Sequence, residues 1–434
     1  MFICLSAPIN TQWELTTSCT YKCVQCYKAL TSEKSRIISP TLSLINNITN
    51  QLIVNKIFHI TLTGGEALLV IEKYKNSLLR LKSAGISINL NSNLSVISDR
   101  IISILNDINI KSILTSLMSS NEDLNDRLSG IRGSFRRTIN GIRKVIEADF
   151  KVAVNMVIMR ENLNNIIDTA LFIKQLGVNN FCVTKALTPP NNRDCHVISK
   201  AELSKMFSDA IFIKNQYGIN IDSLEHYPLC SLPDQEAVKI FSKRKCSAAK
   251  TTCTIGAFGD VRPCSHAPHS YGNLSDENLS EIWLKMQEWR DGSLVPNFCK
   301  TSCNAFPELC GGGCRIEAER VNKNISGQDP FSSESDLHLK ESRSLTLFKP
   351  LNTSSVFIVR ADVKKREEGF GYALFRNPRN WVLVNNDLAD ILGITKTLHQ
   401  VSIPIISEKL KVNYYQATRT VNYLISKHII EQIS

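Results

Sequence analysis

The stretch TQWELTTSCTYKCVQCY, residues 11–27, runs from an alternating segment straight into three cysteines. Trp13 and Leu15 alternate with Gln12, Glu14 and Thr16, the period-two pattern of a half-buried strand. Cys19, Cys23 and Cys26 then follow at gaps of three and two residues, with no fourth thiol beside them. A protein-closed zinc site needs a fourth thiolate or imidazole, whereas a four-iron cubane on three thiolates leaves one iron for an outside ligand.

Working outward, the runs IFHITLTGG (57–65), ISINLNSN (86–93), KSILTSL (111–117), KVAVNMVIM (151–159) and NNFCVTKA (179–186) are separated by segments of helix length. With the first strand they make six βα units. Such units imply an α/β fold with a parallel, right-handed sheet, an open or partial (β/α)6 TIM-type barrel. Chemistry in these folds sits where the strands end. The cysteines after the first strand and TGGE after the second are therefore expected to face one cavity.

The chain has 434 residues, too many for one ordinary core, and predicts two or three domains. Its hydrophobic content of 43% fits folded protein. No apolar run approaches the roughly 18 residues of a membrane span. The opening MFICLSAPIN lacks a basic segment and a full apolar core, so it reads poorly as a secretory signal. A cytoplasmic protein without a membrane partner is the expectation, and in reducing cytosol the 14 cysteines point to metal ligation or catalysis rather than disulfides. The net charge of +11 suggests an acidic partner without choosing between nucleic acid and peptide.

The spacing CxxxCxxC after one strand, with Gly64, Gly65 and Glu66 after the next, resembles the radical SAM superfamily. The resemblance implies a 4Fe-4S cluster on Cys19, Cys23 and Cys26 whose open iron chelates S-adenosylmethionine. A delivered electron cleaves that molecule to a 5'-deoxyadenosyl radical, which abstracts hydrogen from substrate. Gly64 and Gly65 would let backbone approach the methionine moiety, and Glu66 would meet its ammonium. Asn93, Ser116 and Arg127, in NLNSN, LTSLMSS and NDRLSGIRGSF, resemble the family's ribose and carboxylate contacts. Two positions depart from its pattern: Gln25 stands where an aromatic residue is frequent, and GGEA, with Ala67, replaces GGEP. Tyr27 would then stack on adenine.

A second, denser group comprises Cys246, Cys253 and Cys264, then Cys299, Cys303, Cys310 and Cys314. Seven thiolates nearly supply two four-ligand sites, of iron-sulfur clusters or equally of structural zinc. The run Cys246, Gly259, Cys264 with the four-cysteine knot resembles the SPASM extension of radical SAM enzymes. That resemblance implies two auxiliary clusters, three 4Fe-4S clusters in all. The first would take Cys246, Cys253, Cys264 and Cys314, the second Cys299, Cys303 and Cys310. No cysteine follows Cys314, so the second lacks its expected last ligand; Asp329, His338, Glu317, water or Cys230 are the alternatives. Cys4, Cys182 and Cys195 match no motif and read as inert thiols.

Beyond a polar segment, residues 351–434 read as strands SSVFIVRADV and YALFRNPRNWVLVN, then helices at NDLADILGI, VSIPIISEKL and NYYQATRTVNYLISKHII. This small winged helix-turn-helix layout resembles the PqqD-like element that binds the leader of ribosomal precursor peptides. Winged helices also bind DNA, and Lys409, Lys411, Arg419 and Lys427 could meet phosphates. The expected organisation is a radical SAM core at 1–225, a SPASM domain at 226–325, a linker at 326–350 and peptide recognition at 351–434. The resemblances imply a peptide maturase that installs a carbon-carbon, ether or thioether crosslink in a leader-bound precursor peptide. A flavodoxin- or ferredoxin-type protein would donate electrons, and nucleic acid is not an expected partner. A sulfatase-maturase-like protein oxidase and an iron-sulfur regulator binding DNA are the alternatives. No catalytic acid or base is assigned; Asp222, Glu225, His226 and Asp260 read first as ordinary polar contacts.

Overall fold

In the computed structural model, residues 4–28, 39–188, 196–333, 351–352, 354–394 and 400–433 are described. Cys195, His338 and the expected linker beyond residue 333 lie outside them. The chain divides into two compact units, Met1–Leu339 and Lys340–Ser434.

In the first unit the expected strands form as β1 (Asn10–Glu14), β2 (His59–Thr63), β3 (Ser87–Asn91), β4 (Ile110–Ser116), β5 (Val152–Ile158) and β6 (Asn180–Lys185). All pair parallel in sequence order. Helices cross between consecutive strands, for example Leu42–Val54 between β1 and β2 and Ile166–Gln175 between β5 and β6. Strands covered on both faces read as near-continuous apolar runs. The burial of VAVNMVI in β5 is of that kind, as is that of HITLT in β2. Helix ends obey local signals. Ser199 and Glu202 form a capping box ahead of the helix Lys200–Tyr217, and Gly218 ends it at φ +65°.

The sheet is longer than the six expected strands. β7 (Asn220–Asp222) adds parallel to β6, and β8 (Thr252–Ile255) lies parallel on the far side of β1, followed by antiparallel β9 (Val261–Arg262). The order is β7-β6-β5-β4-β3-β2-β1-β8-β9. β8 carries the second cysteine group into the sheet itself, with Cys253 in register with Thr11. A four-residue strand between turns has too little periodicity to announce itself. The indole of Trp283 donates to Leu5 O at 2.8 Å, tying the helix Leu279–Lys285 to the segment before β1.

The expected linker start at 326 gives way to packed structure. Asp329 is 2% exposed and accepts from Cys314 N at 2.7 Å and Phe331 N at 2.8 Å, and Phe331 joins the main core. One buried carboxylate thus fastens a polar segment whose composition reads as loop.

The second unit holds two three-stranded sheets. β10 (Val356–Val359) pairs with β14 (Val401–Ser402) and β15 (Ile430–Gln432), while β11 (Lys364–Glu368), β12 (Gly371–Asn377) and β13 (Asn380–Asn385) form an antiparallel meander. Helices Asn386–Ile391, Ile403–Leu410 and Tyr414–Ser426 pack a separate core around Phe357, Val421 and Leu424. β11, with sequence KKREE, lacks apolar alternation. It forms by hairpin pairing with β12, and buried Arg366 pairs with Glu368 at 2.8 Å. Among the described residues no helix is long and apolar enough to cross a membrane.

Candidate functional site

The carboxyl ends of β1, β2 and β3 meet at the first cysteine loop. Gly65 N donates to Thr16 O and Glu66 N to Ser18 O, both at 2.7 Å. Gly64 sits at φ +131°, and a Cβ on Gly65 would lie 2.0 Å from Ser18 O. The two glycines therefore admit the backbone of the cysteine loop itself, the close approach that only glycine permits. The other side is braced by the C-terminal end of helix Glu122–Ser129: Lys22 N donates to Ser129 O at 2.9 Å and Val24 N to Leu128 O at 3.0 Å. A Cβ on Gly130 would meet Lys22 O at 2.5 Å.

Held this way, the three thiols share one neighbourhood. Burial and then the Glu66 and Cys26 charges push Cys19 up to about 11, and burial with Cys26 and Cys19 pushes Cys23 up to about 12. Thiols whose charged forms would repel one another in this way fit a cationic iron-sulfur core, which keeps coordinating thiols deprotonated. Tyr21 N donates to Cys19 Sγ at 3.4 Å.

Glu66 is wholly buried, and its oxygens accept from Leu68 N at 3.0 Å, Ser92 Oγ at 2.7 Å and Asn93 N at 2.8 Å. Its carboxylate holds the turn after β3 in place. Asn93 is the residue so positioned, with Nδ2 3.0 Å from Thr20 Oγ1 and 3.8 Å from Cys19 Sγ. Ser116 ends β4 exposed, and Arg127 is exposed on the helix Glu122–Ser129, whose last carbonyls reach the cysteine loop. Gln25 Nε2 donates to Met118 Sδ at 3.0 Å, and Ala67 opens a buried 3-10 turn. Tyr27 packs edge-on to His266 at 5.3 Å, linking the first cysteine group to the second.

Below that contact lies an ionic layer that sequence reasoning missed. Glu14, at the end of β1, is fully buried and accepts from Arg262 Nη2 at 2.6 Å; Lys28 also pairs with it, and Asp260 meets Arg262 Nε at 3.0 Å. Lys185, at the end of β6, is buried against Glu317, which also accepts from Thr188 N. Burial opposes the Lys185 charge, yet Glu317, Glu225 and Asp329 raise its pKa; Glu317 is held low, its own burial outweighed by Lys185. Glu225 is raised by burial and lies 3.6 Å from His266 Nδ1, whose ring is driven down to about 3 by burial and Arg320. Asp222 ends β7 and faces Arg244 at 3.5 Å, and His226 is a half-buried neighbour of Glu225. The signal for Lys185 and Glu14 was available: an ionisable residue closing an apolar strand.

Among the later cysteines, Cys246 bears on Cys264, Arg320 faces Cys264 and Cys314, and Arg315 faces Cys314, Cys246 and Cys299. Cys253 is set apart: it is 1% exposed on β8, and burial alone raises its thiol. Cys303 and Cys310 both bear on Cys299. Gly312 and Gly313, both at φ +84°, turn the chain between Cys310 and Cys314, and a Cβ on Gly313 would lie 2.5 Å from Asp329 Cβ. The described cysteines are free thiols, with Cys4 exposed and Cys182 buried. Among the described residues no three His, Cys, Asp or Glu side chains are grouped to hold a single metal ion.

Residues 13–173 match the Radical SAM superfamily, and residues 246–305 match the SPASM iron-sulfur cluster-binding domain. The chain is 24% identical to an AdoMet-dependent heme synthase of Methanosarcina barkeri, over 76% of this chain and 98% of that one. It is 25% identical to the mycofactocin maturase MftC of Mycolicibacterium smegmatis, over 75% and 83%. Among solved structures, Streptococcus suis SuiB bound to precursor peptide SuiA superposes with TM-score 0.60 at 19% identity, covering 76% of each chain.

Proposed function

The chain is a radical SAM enzyme carrying a SPASM domain, and from that premise we propose that it matures a ribosomally made precursor peptide by installing a crosslink. The observation that carries this reading is a second compact unit, residues Lys340–Ser434, on the same chain as the braced cysteine loop. Its meander ends in the edge strands β11 and β13, and an extended leader peptide can add to such an edge through main-chain hydrogen bonds. We read this unit as the winged-helix recognition element. The similarity to MftC supports a peptide substrate. Residues 326–333 belong by packing to the SPASM side of the boundary.

Cys19, Cys23 and Cys26 would hold the SAM-binding cluster. When bound, that cluster supplies the electron that cleaves S-adenosylmethionine into the hydrogen-abstracting species. Glu66 orients Asn93 at the rim where the cosubstrate would sit, with Ser116 at the neighbouring strand end and Tyr27 beneath. The Lys185–Glu317 and Glu14–Arg262 pairs keep buried charge neutralised around the space between barrel and auxiliary thiols. Cys246, Cys253, Cys264 and Cys314 would hold one auxiliary cluster and Cys299, Cys303 and Cys310 the other, able to accept the substrate electron, while a flavodoxin- or ferredoxin-type partner in the cytoplasm would donate the electron that starts the reaction.

A small tetrapyrrole substrate is the second reading, favoured by the similarity to the heme synthase. That match uses 98% of the relative but 76% of this chain, so the remainder has no counterpart there to explain it. The test is anaerobic reconstitution of wild type and Cys23→Ala, with S-adenosylmethionine cleavage measured with and without a precursor peptide encoded beside the gene. We expect loss of about four irons and of all cleavage in the variant, and a mass shift of the peptide with wild type. Cleavage retained by Cys23→Ala defeats the cluster assignment, and an unmodified peptide beside intact cleavage defeats the peptide reading.

A further inference from the structure

The segment SLEHYPLCS, residues 223–231, leaves β7 and ends in the short 3-10 turn Leu229–Ser231. We propose that Cys230, in that turn, is the fourth thiolate of the cluster held by Cys299, Cys303 and Cys310. The proposal rests on reading those three residues as auxiliary-cluster ligands.

Several observations converge on Cys230. Beyond the opening three cysteines and the seven late ones, the sequence offers Cys4, Cys182, Cys195 and Cys230, and of these Cys230 is nearest the knot in sequence. The fold returns Cys230 to the knot: Ser333 N donates to its Sγ, and in the same segment Asp329 accepts from Cys314 N and lies where a Cβ on Gly313 would come within 2.5 Å of its own Cβ. A Cβ on the neighbouring Gly312 would stand 3.8 Å from Cys299 Sγ, and the electrostatic influence of Cys230 on Cys299 agrees with this placement. All four thiols are half-buried, neither sealed in a core nor left in solvent.

The sulfur of Cys230 is also dressed as a ligand. Ser333 N donates to its Sγ at 3.3 Å, while Ser333 Oγ donates to its carbonyl at 3.0 Å. The other candidate ligands accept backbone N–H in the same way: Cys310 from Gly312 at 3.5 Å, Cys19 from Tyr21 at 3.4 Å, and Cys246 from Ala248. Such bonds to sulfur stabilise the electron-rich thiolate and tune cluster potential. Cys4, outside every motif, instead donates its own proton to Leu5 O at 3.6 Å.

The competing carboxylates are committed elsewhere. Asp329 spends one oxygen on Cys314 N and the other on Phe331 N. Glu317 faces Lys185 and Thr188. Asp329 acts instead through backbone, fixing the residue after the triple glycine and leaving Cys230 to close the set. Four thiolates leave this cluster no open iron, which assigns it to electron transfer and not to substrate binding.

The test uses the full-length chain, reconstituted anaerobically, as wild type, Cys230→Ala, Cys230→Ser, Cys303→Ala and the control Cys4→Ala. Iron and sulfide are counted, the dithionite-reduced protein is examined by EPR with and without cyanide, and circular dichroism reports the fold. Cys4→Ala should match wild type, and Cys303→Ala should lose about four irons. Cys230→Ala should either lose the same about four irons or keep a cluster whose signal has shifted and responds to cyanide as wild type does not. Cys230→Ser, which offers an oxygen donor of similar size, should retain the iron with a shifted signal, so that a folding defect in the alanine variant leaves the proposal testable. Wild-type iron and an unshifted, cyanide-insensitive signal in both Cys230 variants, beside a Cys303→Ala that has lost its cluster, overturns the proposal alone. Full iron and signals in Cys303→Ala would overturn the ligand reading beneath it, and the proposal with it.

Discussion

At the residue scale, the cysteine loop depends on what is missing at two neighbours. Gly65→Ala places a methyl 2.0 Å from Ser18 O, a distance no Cβ tolerates, and the obstacle is backbone, not a side chain that can swing away. The loop must move, so this substitution should lower reconstituted iron by about four per chain while the auxiliary signals persist, checked by iron assay and EPR. Lys185 makes a different kind of prediction. It is 3% exposed against a fully buried Glu317, and removing one member of such a pair leaves a bare charge in the interior. Lys185→Met should cost about 3–5 kcal/mol in urea denaturation, and Lys185→Met with Glu317→Leu should recover most of it. Glu66 shows what spacing leaves open. Its place in the GGE motif is legible in sequence, but three donors to its carboxylate come from Leu68, Ser92 and Asn93, and only the fold brings the last two to it.

At the scale of elements, β1 is flanked by β2 on one side and β8 on the other, both parallel. Its amides and carbonyls are therefore engaged within the sheet interior, while β7 and β9 are its edges. Hydrogen exchange followed by mass spectrometry should find peptides covering β1 and β2 among the slowest and those covering β7 and β9 markedly faster, since edge strands open without unfolding the core. Equal exchange across these strands would contradict the sheet order. The pairing of β8 with β1 also explains the position of Cys253, which sits opposite Thr11 within the sheet. In sequence Cys253 is one of a group of three. Register, which spacing alone does not reveal, sets it on a strand of the sheet.

At the scale of the whole molecule, the two compact units divide the proposed work between radical chemistry and substrate capture. A chain ending at Leu339 should still cleave S-adenosylmethionine but modify the full precursor peptide on the order of a hundredfold less efficiently at micromolar substrate, because tethering supplies effective concentration and not chemistry. Equal efficiency in the truncated chain, measured by mass spectrometry of the peptide, would remove the second unit from substrate capture. The sequence by itself determined the βα alternation, the strand-end position of Cys19, Cys23 and Cys26, and the glycines beside them. Those signals are local: a two-residue side-chain period, a short thiol spacing, a glycine requirement. Tertiary structure alone decided that Lys185 meets Glu317 across 132 residues, that β8 joins the sheet at β1, that the start of the expected linker is pinned by Asp329, and that Cys230 meets Ser333 across 103 residues. Burial is the physical reason. A charge, a short strand or a thiol acquires its partner only when desolvation makes being unpaired costly, and which groups are desolvated together is a property of the packed chain.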